Sequence, residues 1–301
     1  MEDIAKRILE LKKERNATII AHNYQLPEIQ DIADYLGDSL GLSRKSAELE
    51  EDVIVFCGVK FMAETAKILS PQKTVLIPDI DAGCNMAGMV DKDHLQKLQK
   101  EHPDAKTVTY VNTTAETKAY SDICCTSSNA VKVVNSLDTD NIIFVPDKNL
   151  ASYVQDNTDK HIIPYSGYCY VHNQFTVAHV RKARDSHPGA VLLLHPEAPH
   201  EVQLESDHLC STGGMIEKAG EIDRPMIIGT ENEMVYRLQT LYPDKEFYPL
   251  MENPKAICTN MKKITLPKVL RALEGNTYEV TVNKDISKRA LKAIEGMLTV
   301  S

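Results

Sequence analysis

The sequence contains no tryptophan, and none of its stretches approaches the ~18 uninterrupted apolar residues of a membrane-spanning helix. It has no run of five or six like charges. With 34 basic and 43 acidic side chains the net charge is −9. An extended nucleic-acid surface and a polybasic membrane anchor are therefore not expected. The first residues, Met1 to Arg7, lack the basic-then-apolar layout of a signal peptide and read as the start of an amphipathic helix. A cytoplasmic location is expected, and there the seven cysteines are not expected to form structural disulfides. No Cys-x-x-Cys pair occurs, which weighs against a zinc ribbon or a thioredoxin-type redox pair. No low-complexity linker is present either, so 301 residues read as closely packed units.

What is present is a repeat. Apolar strands begin near Thr18, Val108 and Val191, and each ends in a polar cluster: Ala21-His22-Asn23-Tyr24, Tyr110-Val111-Asn112-Thr113 and Leu194-His195-Pro196-Glu197. A hydroxyl at the expected start of a helix follows each: Ser39, Ser127 and Thr212. A second strand comes next (Val53–Phe56, Ile142–Val145, Met226–Gly229), then a helix (61–69, 148–156, 232–240). A third strand closes the pattern (Val75–Pro78, Ile162–Pro164, Phe247–Pro249). Continuous apolar strands alternating with helices predict parallel sheets covered on both faces. The expected fold is α/β: three homologous three-layer αβα units with parallel sheets around a pseudo-threefold axis, the site at the centre. The expected units are 1–88, 89–172 and 173–265, with a C-terminal helical segment at 266–301.

After the third strand each repeat places a cysteine in an irregular loop: Cys84, Cys169 and Cys258. Loops converging on a common axis would bring three thiolates to one centre. Glycine or proline in each loop would let the backbone approach a bulky inorganic group. Three thiolates from distant segments suit a [4Fe–4S] cluster with one iron free of protein ligand, able to act as a Lewis acid. The alternative is three buried cysteines left in homologous turns by duplication. Cys57, Cys124, Cys125 and Cys210 have no counterparts between repeats and read as packing residues.

Ligands of parallel sheets collect beyond the carboxyl ends of strands, where His22, Tyr24, Tyr110, Asn112, His195 and Glu197 fall. Ser39, Ser127 and Thr212 occupy expected N-cap positions, beside free backbone N–H groups that attract anions. Each alone could be a plain helix cap, and each histidine or tyrosine alone a packing residue. Their matched register argues for a shared pocket. His195 and Glu197, with Pro196 between them marking a rigid loop, suit general acid–base work, and His172, three residues after Cys169, is a candidate support.

Across nearly the whole chain these motifs, in this order, resemble the quinolinate synthase A family. Further carriers of the resemblance are Gly37-Asp38-Ser39, Gly58-Val59-Lys60-Phe61-Met62-Ala63-Glu64, Gly83-Cys84-Asn85-Met86-Ala87, Gly167-Tyr168-Cys169-Tyr170-Val171-His172, Ser211-Thr212-Gly213-Gly214-Met215 and Cys258-Thr259-Asn260-Met261-Lys262. The resemblance implies condensation of iminoaspartate with dihydroxyacetone phosphate to quinolinate, with loss of phosphate and two waters. It implies one [4Fe–4S] cluster on Cys84, Cys169 and Cys258. A substrate pocket of His22, Ser39, Tyr110, Val111, Asn112, Ser127, His195, Pro196, Glu197 and Thr212 is likewise implied. Glu197, His195, Tyr24, Tyr110 and His22 would carry the catalysis. An aspartate oxidase or aspartate dehydrogenase is the expected upstream partner; nucleic acid and membrane are not expected partners. The third cysteine stands alone in Cys258-Thr259-Asn260-Met261, without the Cys-x-x-Cys-x-x-Cys run of some members. Tyr165-Ser166-Gly167 replaces a segment that often holds tryptophan.

Three other readings share the three-cysteine pattern or the cluster. These are a reductase of hydroxymethylbutenyl diphosphate, a diphthamide-forming protein that cleaves S-adenosylmethionine, and an iron–sulfur sensor. Neither rival enzyme matches the ordered motifs. The sensor has no visible nucleic-acid-binding element.

Overall fold

The computed structural model describes residues 2–300; Met1 and Ser301, the ends of the first and last expected segments, lie outside the described residues. The apolar runs form strands buried along their length, as expected where helices cover both faces of a parallel sheet. The first unit runs α1 (Glu2–Glu14), β1 (Ala17–His22), α2 (Pro27–Ile32), β2 (Tyr35–Gly37), α3 (Ser39–Glu48), β3 (Val53–Cys57), α4 (Lys60–Leu69) and β4 (Thr74–Leu76). The second runs α5 (Lys92–Glu101), β5 (Lys106–Tyr110), α6 (Ala115–Ala119), β6 (Ile123–Cys125), α7 (Ala130–Asn135), β7 (Asn141–Val145), α8 (Lys148–Gln155) and β8 (His161–Pro164). The third runs α9 (Val177–Ser186), β9 (Val191–Leu194), α10 (His200–Gln203), β10 (His208–Leu209), α11 (Thr212–Glu221), β11 (Met226–Gly229), α12 (Glu233–Leu241) and β12 (Phe247–Pro249).

Each unit holds a four-stranded parallel sheet, ordered β2-β1-β3-β4, β6-β5-β7-β8 and β10-β9-β11-β12. Equivalent residues pair in equivalent register: Ile20 with Phe56, Val108 with Phe144, Leu193 with Ile228. The sequence reading counted three strands per unit. The strand it missed is an edge strand of three, three or two residues (β2, β6, β10), too short to show a periodic apolar signal. The chain reverses direction across each sheet between β1 and β3, β5 and β7, and β9 and β11. Such a switch point opens a crevice beyond the carboxyl ends of the strands. His22-Asn23-Tyr24, Val111-Asn112 and His195-Pro196-Glu197 emerge at or just past these ends.

Helices α13 (Leu266–Gly275) and α14 (Lys284–Thr299) add to the outer layers of the first two units. The first lies against α1, and the second against α4, α6 and β6. Asn129 Nδ2 fixes the end of α14 by donating to Met297 O at 3.3 Å. Among the described residues, no helix is long and apolar enough to cross a membrane.

Candidate active site

One cavity collects side chains from all three units. Its wall includes His22, Tyr24 and Ser39 from the first unit, Tyr110, Asn112 and Ser127 from the second, and His195, Glu197 and Thr212 from the third. Cys84, Cys169 and Cys258 line the same cavity. Val111 and Pro196 do not. Val111 is buried, with its N–H bonded to Cys125 O at 2.9 Å, and the Pro196 carbonyl accepts from Gln203 Nε2 at 2.8 Å. Along an extended chain successive side chains alternate in direction, so the flanking residues face the cavity while these two turn away.

The hydroxyls sit differently from expectation. Asp38 and Ser211 are the N-caps, accepting from Gly41 N at 2.8 Å and Gly214 N at 3.2 Å. Ser39 and Thr212 follow as the first helical residues, and Ser127 stands in the loop before α7, whose N-cap is Asn129. A carboxylate or hydroxyl one residue earlier reaches the free N–H groups with better geometry, which leaves the hydroxyls of Ser39 and Thr212 to the cavity. The starts of α3 and α11 lie side by side: Asp38 Oδ2 is 3.4 Å from Ser211 Oγ, and a Cβ on Gly213 would stand only 2.8 Å from it. Thr212 Oγ1 accepts from Asn23 Nδ2 at 3.0 Å.

Glu197, 3% exposed, is the hub of the polar residues. Tyr110 donates to its Oε1 at 2.6 Å, and Asn112 Nδ2 does so at 3.4 Å. Its Oε2 lies 2.7 Å from His172 Nδ1 but 3.9 Å from His195 Nδ1. The short imidazole partner is thus His172, whose other nitrogen meets Thr230 Oγ1 at 2.8 Å; Thr230 in turn meets the Tyr24 hydroxyl at 2.5 Å. His195 stacks on the His172 ring at 4.6 Å. Burial pushes the Glu197 carboxyl up, but His172, His195 and the Tyr110 hydroxyl outweigh it and hold it at about 2. The carboxylate is therefore ionised. Burial and that same charge push the hydroxyls of Tyr24 and Tyr110 well above 10, so both keep their protons.

His22 and His195 repeat one arrangement. Their Nδ1 atoms accept from the backbone N–H two residues on, Tyr24 N at 3.2 Å and Glu197 N at 3.3 Å. Burial lowers both imidazoles to about 3. An accepting Nδ1 on a neutral ring puts the proton on Nε2, so each ring can donate one hydrogen bond to a bound molecule.

The cysteine loops also match. Burial pushes Cys84 up to about 12, Cys169 well above its usual value, and Cys258 upward. In each case the backbone N–H three residues on works against this: Ala87, His172 and Met261. The thiols also oppose one another's ionisation, Cys84 with Cys258 and Cys169 with both, which places them within electrostatic reach. Thiols that resist ionisation alone, gathered on one wall and offered backbone donors, fit a cationic iron–sulfur group that would deprotonate them. Cys169, His172 and Glu197 form a second metal-competent group, with ligand atoms within 4.8 Å of one another. Gly167 has a different duty from the one expected: its missing Cβ would lie 2.5 Å from Pro146 O, so it lets two loops meet rather than making room for a ligand.

A profile of the quinolinate synthetase A protein matches residues 6–299. The chain belongs to the quinolinate synthetase A family. Relatives include the quinolinate synthase of Thermococcus onnurineus, 56% identical with 100% of this chain and 99% of the relative covered. That of Pyrococcus furiosus is 54% identical over 100% and 99%. Quinolinate synthase 1 of Methanosarcina acetivorans is 50% identical over 99% and 98%. Membership in the quinolinate synthetase A family makes the chain an enzyme of NAD biosynthesis that forms a carbon–carbon bond. Against that family background, sequence reasoning found most of the cavity wall. Among the polar residues of that wall it left out Asp38, Asn85, Thr126, Tyr170 and Asn260, and gave His172 only a supporting place.

Proposed function

We propose that the chain condenses iminoaspartate with dihydroxyacetone phosphate to give quinolinate, phosphate and two waters in the cytoplasm, with one [4Fe–4S] cluster on Cys84, Cys169 and Cys258. The observation that carries this reading is the meeting of one cysteine from each unit on the cavity that also holds the ionised Glu197. When bound, a cluster with one iron free of protein ligand supplies a Lewis acid for the dehydrations. The same reading divides the chain near residues 88, 172 and 265, and an aspartate oxidase or dehydrogenase supplies the unstable imine.

The chain's own residues bind and move protons. Ser39, Thr212, Ser127 and Asn112 receive the carboxylates and phosphate, two of them at the N-terminal ends of helices, where positive potential favours anions. His22 and His195 donate from Nε2 and orient carbonyl or hydroxyl oxygens. Glu197 takes the proton from carbon during isomerisation. Tyr110, hydrogen-bonded to Oε1, and His172, beside Oε2, return it, with Tyr24 and Thr230 extending the path from His172.

The test is quinolinate formation, followed by chromatography, by protein purified without oxygen and given dihydroxyacetone phosphate and freshly generated iminoaspartate. Cys84→Ala is expected to abolish it, and Glu197→Gln to lower turnover by roughly 100-fold or more. Near-normal turnover in Glu197→Gln removes Glu197 from the proton path. No quinolinate from protein holding about four irons per chain overturns the reading.

A further inference from the structure

Three buried side chains outside the cavity wall occupy one position in the repeat. Gln30, Lys118 and Gln203 each stand five residues after a carbonyl they hold (25 to 30, 113 to 118, 198 to 203). They are 4%, 0% and 3% exposed. Gln30 Nε2 donates to Asn23 O at 3.2 Å and Gln25 O at 2.9 Å, the backbone that flanks Tyr24. Gln203 Nε2 donates to Pro196 O and Ala198 O, both at 2.8 Å, the backbone that flanks Glu197. Lys118 Nζ donates to Thr113 O at 2.6 Å, beside Asn112.

Each of the three also reaches into another unit at an equivalent place, the start of its last helix. Gln30 of the first unit reaches Glu233 O of the third at 3.4 Å. Gln203 of the third reaches Asn149 O of the second at 2.9 Å. Lys118 of the second lies over the Phe61 ring of the first at 5.3 Å. Phe61, Asn149 and Glu233 are themselves equivalent, each two residues after Val59, Asp147 and Glu231. The contacts run first to third, third to second, second to first, and so close a ring.

We infer that Gln30, Lys118 and Gln203 are equivalent positioning residues, buried clamps that hold each unit's catalytic loop and lock it to the neighbouring unit. Loop carbonyls inside a protein need donors, and a side chain supplies them where no strand continues. Gln203 carries the heaviest duty, because both carbonyls it holds flank the Glu197 hub. Asn149 assists it by donating from Nδ2 to Glu197 O at 2.9 Å. Lys118 replaces the amide where it faces the Phe61 ring of the adjacent unit, which attracts a cation and offers no carbonyl, with Glu64 and Cys84 of that unit also within electrostatic reach.

The test is amide hydrogen exchange, read by mass spectrometry on the full chain, together with kcat and KM. Gln203→Met keeps the volume and removes the donor. It is expected to speed exchange tenfold or more in 195–198 and at the start of α8, with loops 22–25 and 110–113 unchanged. Lys118→Met is expected to do the same in 110–114 only, and Lys118→Gln, which installs the donor of the other two units, to keep exchange in 110–114 at the parent rate. The catalytic consequence rests on the proposed function: kcat in Gln203→Met falls at least tenfold while KM for dihydroxyacetone phosphate stays within about twofold, since the hydroxyls that bind anions lie elsewhere. Exchange rising equally throughout the chain, or unchanged in a variant's own loop, overturns the clamp. So does failure of Lys118→Gln to fold, and that variant decides alone if Gln203→Met does not fold. A parent chain that makes no quinolinate defeats the functional reading and leaves the exchange result standing.

Discussion

The loop of Cys84 is held differently from those of Cys169 and Cys258. All three share a backbone tie, in which the N–H of Lys60, Lys148 or Asn232 bonds the carbonyl two residues before the cysteine: Ala82 at 2.7 Å, Gly167 at 2.9 Å and Ala256 at 2.9 Å. The second and third loops add a buried carboxylate. Asp147 Oδ2 accepts from Cys169 N, and Glu231 Oε1 from Cys258 N, both at 3.2 Å. In the first unit the equivalent residue is Val59, which has nothing to accept with and leaves α4 without a side-chain cap. The Cys84 loop is tied from outside instead: Lys263 Nζ donates to Asp81 O at 2.6 Å, Asn260 Nδ2 to Asn85 Oδ1 at 2.8 Å, and Lys268 pairs with Asp79. Two of the cysteine loops are thus fastened by buried polar groups of their own unit. The third hangs on partly exposed contacts from the segment after Cys258. Exposed ties are weaker than buried ones, so the Cys84 loop is the readily loosened side of the cysteine wall.

The largest break in this contrast is expected from Glu231→Ala. Glu231 is fully buried and pairs with Lys262 Nζ at 2.8 Å, so the variant leaves a mostly buried cation with only the more distant Glu233 carboxylate, at 3.9 Å, and the Tyr24 carbonyl, as well as freeing Cys258 N. A loss of about 3 kcal/mol or more is expected in urea unfolding, and Glu231→Gln should recover a good part of it. Asp147→Ala comes next, at about 2 kcal/mol, because the same carboxyl caps α8 through Asn149 N and Leu150 N at 2.8 and 2.7 Å. Asp147→Asn keeps an acceptor and should stay within about 1 kcal/mol of the parent. Lys263→Ala is the smallest change, below about 1 kcal/mol. It should nevertheless speed amide exchange in 81–86 while leaving 167–172 untouched. Equal exchange in both segments would remove this asymmetry.

Much of this architecture was legible because duplication writes the same signal three times. The apolar runs at Val53, Ile142 and Met226 became β3, β7 and β11 within a residue or so, and the cysteines recur at one place in each repeat. The edge strands were not legible, since His208–Leu209 is two residues long and gains strand geometry only by pairing with Leu193 and Leu194. Nor was the true capping pattern, because Asp38 and Ser39, or Ser211 and Thr212, are all acceptable cap residues and only backbone dihedrals choose between them.

By itself, the sequence determined the strands, their parallel arrangement and which residues stand at strand ends. These follow from local periodicity and from the intrinsic preferences of short segments. The tertiary structure alone decided partnership. His172 rather than His195 closes on Glu197, Val111 and Pro196 turn from the cavity, and Lys118 takes the place of a glutamine. Each of these depends on groups far apart in sequence approaching within about 3–4 Å, a distance fixed by how three sheets pack and by no single segment.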